Sequence, residues 1–330
     1  MLTITSARDR ADLQRLSAQV APLAGGSDLF ADPQTHLTGL VDLQTLGWPA
    51  LTLTADADTD AGERRTDTTT DTIPGLTIAA TCTIAELSRL AAAPGWSAHP
   101  LLYQCCTALY GSFKIWNVAT VGGNLCASLP AGPMTSLAAA LDAEVLIWRR
   151  DGSDERMPAS AFVTGNTTNV LQTGDVLRSI QVPASSLAAR TAYRKIALSP
   201  LGRSGAVLIG RLDRSDGTDD TGRSATTADG RFVLTVTAGT VRPVQLRYDS
   251  LPTKSALARD IARIDCWFTD AHGAADWRRA VSGVLGEEIR AELEQEPRPD
   301  PTAPDQSLTD HEAIDHEATY QAATLSGDRA

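Results

Sequence analysis

Hydrophobic and polar positions change rhythm many times along this chain, and the pattern predicts short elements of both kinds. Residues 7–18 read as an amphipathic helix with Leu13 and Leu16 on one side. Ala21 to Ala24 predicts a short strand, and Gly39–Leu43 and Leu51–Leu53 predict the next two. Gly75–Ala80 is a further strand. Thr83-Ile84-Ala85-Glu86 has capping-box spacing and starts a helix over 84–92. Apolar residues across 101–110 predict a second helix leading to Gly122-Gly123, and Leu137–Leu141 a buried helical turn. Val145–Trp148 predicts a strand and Asp151-Gly152 a hairpin. Val176–Val182 alternates with period two until Pro183 closes it, the mark of a half-buried strand. After Pro183 the texture changes. Thr191–Leu198, Ala206–Arg211, Phe232–Ala238 and Val241–Tyr248 read as antiparallel strands, followed by helices near 254–264 and 276–291.

Two internal stretches break all periodicity. Residues 54–72 and 213–230 are rich in Thr, Asp and Arg, and the tail beyond about Glu296 is rich in Pro, Asp and Thr. Such segments bury too little apolar surface to offset the entropy of ordering, so loops and a disordered tail are expected. The chain has 330 residues, enough for two or three compact units, and 42% apolar residues, enough for real cores. Net charge is −11. Between Glu287 and Ala330, twelve acidic and three basic residues carry −9 of it, leaving −2 for the body. No basic stripe suits nucleic acid, and no apolar run suits a membrane span. Met1 to Arg10 has no signal-peptide core, so a cytoplasmic protein is expected. The five cysteines (Cys82, Cys105, Cys106, Cys126 and Cys266) show no C-x-x-C and no iron–sulfur spacing. They read as buried apolar residues in a reducing compartment, and no metal site is expected.

The chemistry concentrates in two glycine pairs, Ala24-Gly25-Gly26-Ser27-Asp28-Leu29 and Thr120-Val121-Gly122-Gly123-Asn124. Glycine tolerates positive φ, which lets successive backbone N–H groups converge on one anion. Two such nests suit the two phosphates of a dinucleotide. No Ser-His-Asp set and no carboxylate pair stands out, so no catalytic side chain is assigned.

The order of motifs is more specific than any one of them. It runs P-L-A-G-G-S-D-L, G-L-T-I-A-A-T-C-T-I-A-E-L, W-N-V-A-T-V-G-G-N-L, P-A-G and A-L-D-A-E-V. A D-G hairpin, F-V-T-G and L-Q-T-G-D-V-L-R-S-I-Q-V-P follow. Over residues 5–290 this resembles the FAD-binding subunits of molybdenum hydroxylases, such as the carbon monoxide dehydrogenase medium subunit and the xanthine dehydrogenase flavin domain. The resemblance implies an α+β fold: a vanillyl-alcohol-oxidase (PCMH) type FAD-binding domain of two α+β subdomains, then a flavoprotein C-terminal domain of antiparallel sheet plus helices. It divides the chain into 1–55 (subdomain 1), 56–73 (disordered insert), 74–185 (subdomain 2), 186–292 (C-terminal domain) and 293–330 (acidic disordered tail).

The resemblance also implies roles. Leu23, Ala24, Gly25, Gly26, Ser27, Asp28 and Leu29 wrap the FAD diphosphate from one side, and Thr120, Val121, Gly122, Gly123 and Asn124 from the other, with Ser128 nearby. Tyr110 lies near the flavin or adenine, and Leu177 against the flavin ring. Lys195, or its neighbour Arg194, reaches the flavin edge, where a cation favours negative charge on the ring. Four positions depart from the family pattern: Trp116 stands for an Arg, Ala79 for a Gly and Pro133 for an Asp, and Ser128 sits one place before the usual Ser. Losing that acid removes a charged acceptor worth about 1.5–3 kcal/mol. The implied function is electron transfer from an iron–sulfur subunit through FAD to an acceptor. The iron–sulfur subunit and a molybdopterin-containing subunit would be separate chains, with neither nucleic acid nor membrane as partner. The substitutions keep two alternatives open: a degenerate relative acting as a non-redox binding or assembly module, and a free-standing flavin reductase or oxidase.

Overall fold

A computed structural model describes residues 2–54, 73–108, 111, 113–199, 202–214 and 230–295. The two loops expected at 54–72 and 213–230 and the acidic tail fall, apart from their edges, outside the described residues, as does Tyr110.

The chain begins with a three-stranded parallel sheet of order β1-β3-β2: β1 (Thr3–Ser6), β2 (Val20–Leu23) and β3 (Gly39–Asp42). Parallel neighbours require crossovers rather than hairpins. The first crossover holds a 3-10 turn, Arg10–Arg15, where the sequence pattern predicts an α-helix over 7–18. The Asp9 carboxylate caps it by accepting the N–H groups of Ala11 and Asp12. Residues three apart eclipse in 3-10 geometry, so the Leu13 and Leu16 pair is buried as well by this turn as by an α-helix. The second crossover is the 24–38 loop with the first glycine pair.

A five-stranded sheet of order β4-β5-β10-β6-β7 comes next. Its strands are β4 (Leu51–Thr54), β5 (Gly75–Ala79), β6 (Glu144–Trp148), β7 (Asp154–Pro158) and β10 (Val176–Val182). Between β5 and β6 the chain runs through α1 (Ile84–Ser88), α2 (His99–Ala108), α3 (Phe113–Val118), α4 (Val121–Ala127) and α5 (Pro133–Ala140). Thr83 and Glu86 do form the capping box, but the helix ends at Ser88 rather than 92. Asp151-Gly152 turns the β6–β7 hairpin. Then follow α6 (Ala159–Phe162), the short hairpin β8 (Val163–Gly165) and β9 (Thr168–Asn169), and α7 (Ala184–Ala188) after β10.

β10 corrects the half-buried expectation. It is a central strand whose residues are buried except Arg178 and Gln181, and its register slips between Leu177 and Ser179. The reason is cover on both sides. Leu177 and Ile180 enter the main core with α1, α2 and α5, while Val176 joins Leu13, Leu16 and Val41 of the first sheet. The bulged Arg178 lays its guanidinium over the Trp48 ring at 4.2 Å.

The last part is a four-stranded antiparallel meander: β11 (Arg190–Ala197), β12 (Ser204–Leu212), β13 (Phe232–Thr237) and β14 (Val244–Tyr248). One face packs on α8 (Lys254–Ala262) and α9 (Ala275–Glu294). α9 runs two residues into the stretch expected to be disordered from 293, because Leu293 is buried in this core. The other face gives Val207 and Ile209 to the main core. Polar links tie the meander to the region of α5. The Ala238 N–H donates to Pro130 O at 2.8 Å, the Ser136 and Thr237 hydroxyls meet at 2.7 Å, and Asp142 pairs with Arg211 and Arg247. Among the described residues no helix is long and apolar enough to cross a membrane, and all five cysteines are free.

Candidate functional site

The first glycine loop leaves the end of β2 and turns back on itself. The Phe30 N–H donates to Gly26 O and the Ala31 N–H to Asp28 O. Gly26 has φ +69°, the left-handed region where a side chain costs about 1–2 kcal/mol. Among the described residues, none of the N–H groups of Gly25, Gly26, Ser27, Asp28 and Leu29 donates to a protein acceptor. A run of free amides around one left-handed residue is an arrangement able to accept an anion. Gly25 serves another purpose. A Cβ there would lie 1.6 Å from the Val118 carbonyl oxygen, so only glycine lets the loop lie flat against the end of α3.

The second glycine pair differs from the sequence expectation. Neither Gly122 nor Gly123 has positive φ; both sit in the first turns of α4, with Thr120 as N-cap. The amides are committed internally. Val121 N–H donates to Cys82 O at 2.8 Å, Gly122 N–H to Ala80 O at 3.0 Å, Gly123 N–H to Thr120 Oγ1 at 3.0 Å and Asn124 N–H to Thr120 O at 2.9 Å. Gly122 is required by close approach, since its Cβ would meet Ala80 Cβ at 2.4 Å. The pair therefore seats a helix on β5 rather than forming a second nest.

The two segments nevertheless meet. Pro22 to Leu29, Thr120, Gly123, Cys126 and Ala127 line one cavity of about 230 Å³. This brings together Leu23, Ala24, Gly25, Gly26, Ser27, Asp28, Leu29, Thr120 and Gly123 from the sequence-derived set. Pro22 opens the P-L-A-G-G-S-D-L motif and lines the cavity with it, while Cys126 and Ala127 are additions of the structure; positions 123, 126 and 127 share one face of α4, a spacing visible once Thr120 is read as its N-cap. Burial pushes the Cys126 thiol up to about 12, so it lines the wall as a neutral group. Among the described residues lining the cavity, Asp28 is the one charged side chain; its carboxylate opposes an anion, so a bound anion there would have to be held by backbone dipoles.

The remaining sequence-derived residues lie elsewhere. Val121, the first residue of α4, is buried in the main core. Asn124 Oδ1 accepts the Met134 N–H at 3.0 Å and so caps α5, which Pro133 opens. Ser128 is fully buried in the left-handed region with φ 50°, its hydroxyl turned to Leu125 O and Cys126 O. Leu177 is core, opposite Ile147. On β11 the two basic residues part company. Arg194 faces α9 and pairs with Glu288 at 3.0 Å and Glu292 at 2.6 Å. Lys195 stands opposite Val207, on the face turned to the main core, and burial lowers its pKa.

Residues 65–185 match the family described as FAD binding domain in molybdopterin dehydrogenase. Three solved structures share the fold of almost the whole chain. Reconstituted CO dehydrogenase from Oligotropha carboxidovorans is 20% identical, covers 88% of this chain and 97% of its own, and has a TM-score of 0.66. Quinoline 2-oxidoreductase from Pseudomonas putida 86 is 16% identical over 89% and 96%, with a TM-score of 0.65. Carbon monoxide dehydrogenase from Hydrogenophaga pseudoflava is 19% identical over 87% and 95%, with a TM-score of 0.63. No curated protein matches the chain in sequence. The chain thus shares the α+β fold of these structures, and the matched segment gives FAD as the cofactor.

Proposed function

We propose that the chain is the FAD-binding electron-transfer subunit of a molybdenum-hydroxylase-type oxidoreductase. The observation that carries this reading is the loop of free amides at Gly25–Leu29, facing α4 across one cavity beside a segment of an FAD-binding family. The diphosphate of FAD sits against those amides, with Thr120, Gly123, Cys126 and Ala127 as the opposite wall. Gly122, Val121, Asn124 and Ser128 hold that wall in place rather than touching the ligand. Bound FAD supplies the electron-accepting ring. The chain binds it, orients it and shields it, which is the protein's share in cofactor chemistry. Lys195 is the basic group we assign to the flavin side, because Arg194 is held outward by two glutamates. Residues 1–55 and 74–185 form the two halves of the flavin domain, and 186–292 the C-terminal domain.

Bound flavin would take electrons from an iron–sulfur subunit and pass them to an acceptor, and a molybdopterin-containing subunit would complete the complex. The likeness to CO dehydrogenase and quinoline 2-oxidoreductase supports these partners. One observation favours the degenerate alternative: Pro133 opens α5 where the family pattern carries an acid, and Asn124 caps that end instead. The test is the visible spectrum of the purified protein. A two-band flavin spectrum, bleached by dithionite and by a co-purified iron–sulfur protein, is expected. Colourless protein that takes up no added FAD supports the non-redox module. Bleaching by NAD(P)H without any partner supports a free-standing reductase.

A further inference from the structure

The hairpin β8–β9 lies behind the cofactor cavity, and its contacts converge on the end of α4. Asn169 Nδ2 donates to Cys126 O at 2.8 Å and to Ser128 Oγ at 3.0 Å, while Asn169 Oδ1 accepts the Leu171 N–H at 2.9 Å. The Thr167 N–H donates to Ser128 O at 2.9 Å. Both ends of that last bond are strained. Ser128 has φ 50° and Thr167 has φ 56°, a region that a β-branched residue rarely enters. Strained residues persist only where their surroundings over-determine them. Here the surroundings are one short hairpin, and what it fixes is the helix carrying Gly123, Cys126 and Ala127 of the cavity wall.

We propose that Asn169 is a positioning residue for the cofactor. It holds the carbonyl end of α4 and thereby sets the distance between that wall and the free amides of Gly25–Leu29. The proposal rests on the FAD reading above. α4 is anchored at its start by Thr120 and by Cys82 O and Ala80 O, and at its end by Asn169 and Ser128. Without the second anchor the last turn is free to unwind, and the wall moves with it.

Asn169→Asp is the decisive variant. It keeps size and the acceptor for Leu171 N–H but cannot donate to Cys126 O. FAD affinity is measured by flavin fluorescence quenching, at a temperature where circular dichroism shows wild type and variant both folded. The visible circular dichroism of the bound flavin reports its orientation. Affinity should weaken roughly tenfold, with a changed visible dichroism, and Asn169→Ala should behave alike. If Asn169→Asp does not fold, Ser128→Ala removes only the hydroxyl partner and should show a smaller loss in the same direction. Unchanged affinity and dichroism with only a lower melting temperature would mean an ordinary structural contact and overturn the proposal. Wild type that binds no FAD would overturn the cofactor reading itself, and this proposal with it.

Discussion

Replacing Asp142 by Asn measures how the end of α5 is fastened to the meander. The carboxylate accepts hydrogen bonds from Arg211 Nη2 at 2.6 Å, Gln245 Nε2 at 3.0 Å and Arg247 Nη1 at 3.0 Å, and the side chain is 27% exposed. Burial acts to raise its pKa. The Arg247 and Arg211 guanidiniums outweigh burial and hold the carboxyl down at about 2, against an ordinary 3.8. That lowering corresponds to about 2–3 kcal/mol of stability at neutral pH. Because the folded value is the depressed one, the contribution is complete above pH ~4 and is lost as pH falls towards ~2. Asn keeps the size and one acceptor oxygen but carries no charge, and Arg211 retains Asp213 at 2.6 Å. Denaturant melts of wild type and Asp142→Asn, taken from neutral pH down through this window, read the effect. At neutral pH the variant should be less stable by about 2–3 kcal/mol, or about 3–5 °C in Tm. The gap should close steadily between pH ~4 and ~2. A constant gap across the whole range would refute the electrostatic account.

Gly26→Ala places a side chain at φ +69° and a Cβ 2.6 Å from the Phe30 ring, so FAD affinity should fall about tenfold in equilibrium titration. Lys195→Ala should shift the flavin midpoint potential downward in a spectroelectrochemical titration by removing a nearby positive charge, whereas Arg194→Ala should leave it unchanged and cost only stability. Cys82, Cys106 and Cys126 are all pushed up to about 12 by burial. Iodoacetamide at mildly alkaline pH should therefore label native protein at Cys266 before any of these three, as read by peptide mass spectrometry.

The elements that faced one core were legible in the sequence. The capping box at Thr83, the hairpin at Asp151-Gly152 and the four strands of the meander came from local signals that tertiary structure did not override. What the pattern did not carry was the company each element keeps. β10 alternates in sequence yet is covered on both faces, because the first sheet packs where solvent was expected. Leu13 and Leu16, spaced three apart, fit a 3-10 turn as well as an α-helix. Gly122-Gly123 looked like Gly25-Gly26, but glycine serves close packing as readily as positive φ, and only Ala80 lying beneath it separates the two uses. For the same reason the motif alone does not separate Asn124 and Ser128 from ligand contacts, although their polar atoms are engaged by Met134 and Leu125.

The contact between Gly25 and the Val118 carbonyl has one further consequence. Backbone wedged against backbone leaves neither loop room to swing aside, so the seat is finished before its occupant arrives. The ligand then bears the cost of its own ordering but not that of the protein. Amide protection should therefore stay the same in α3 and α4 whether the seat is empty or filled, and only the Gly25–Leu29 amides that receive the ligand should gain it.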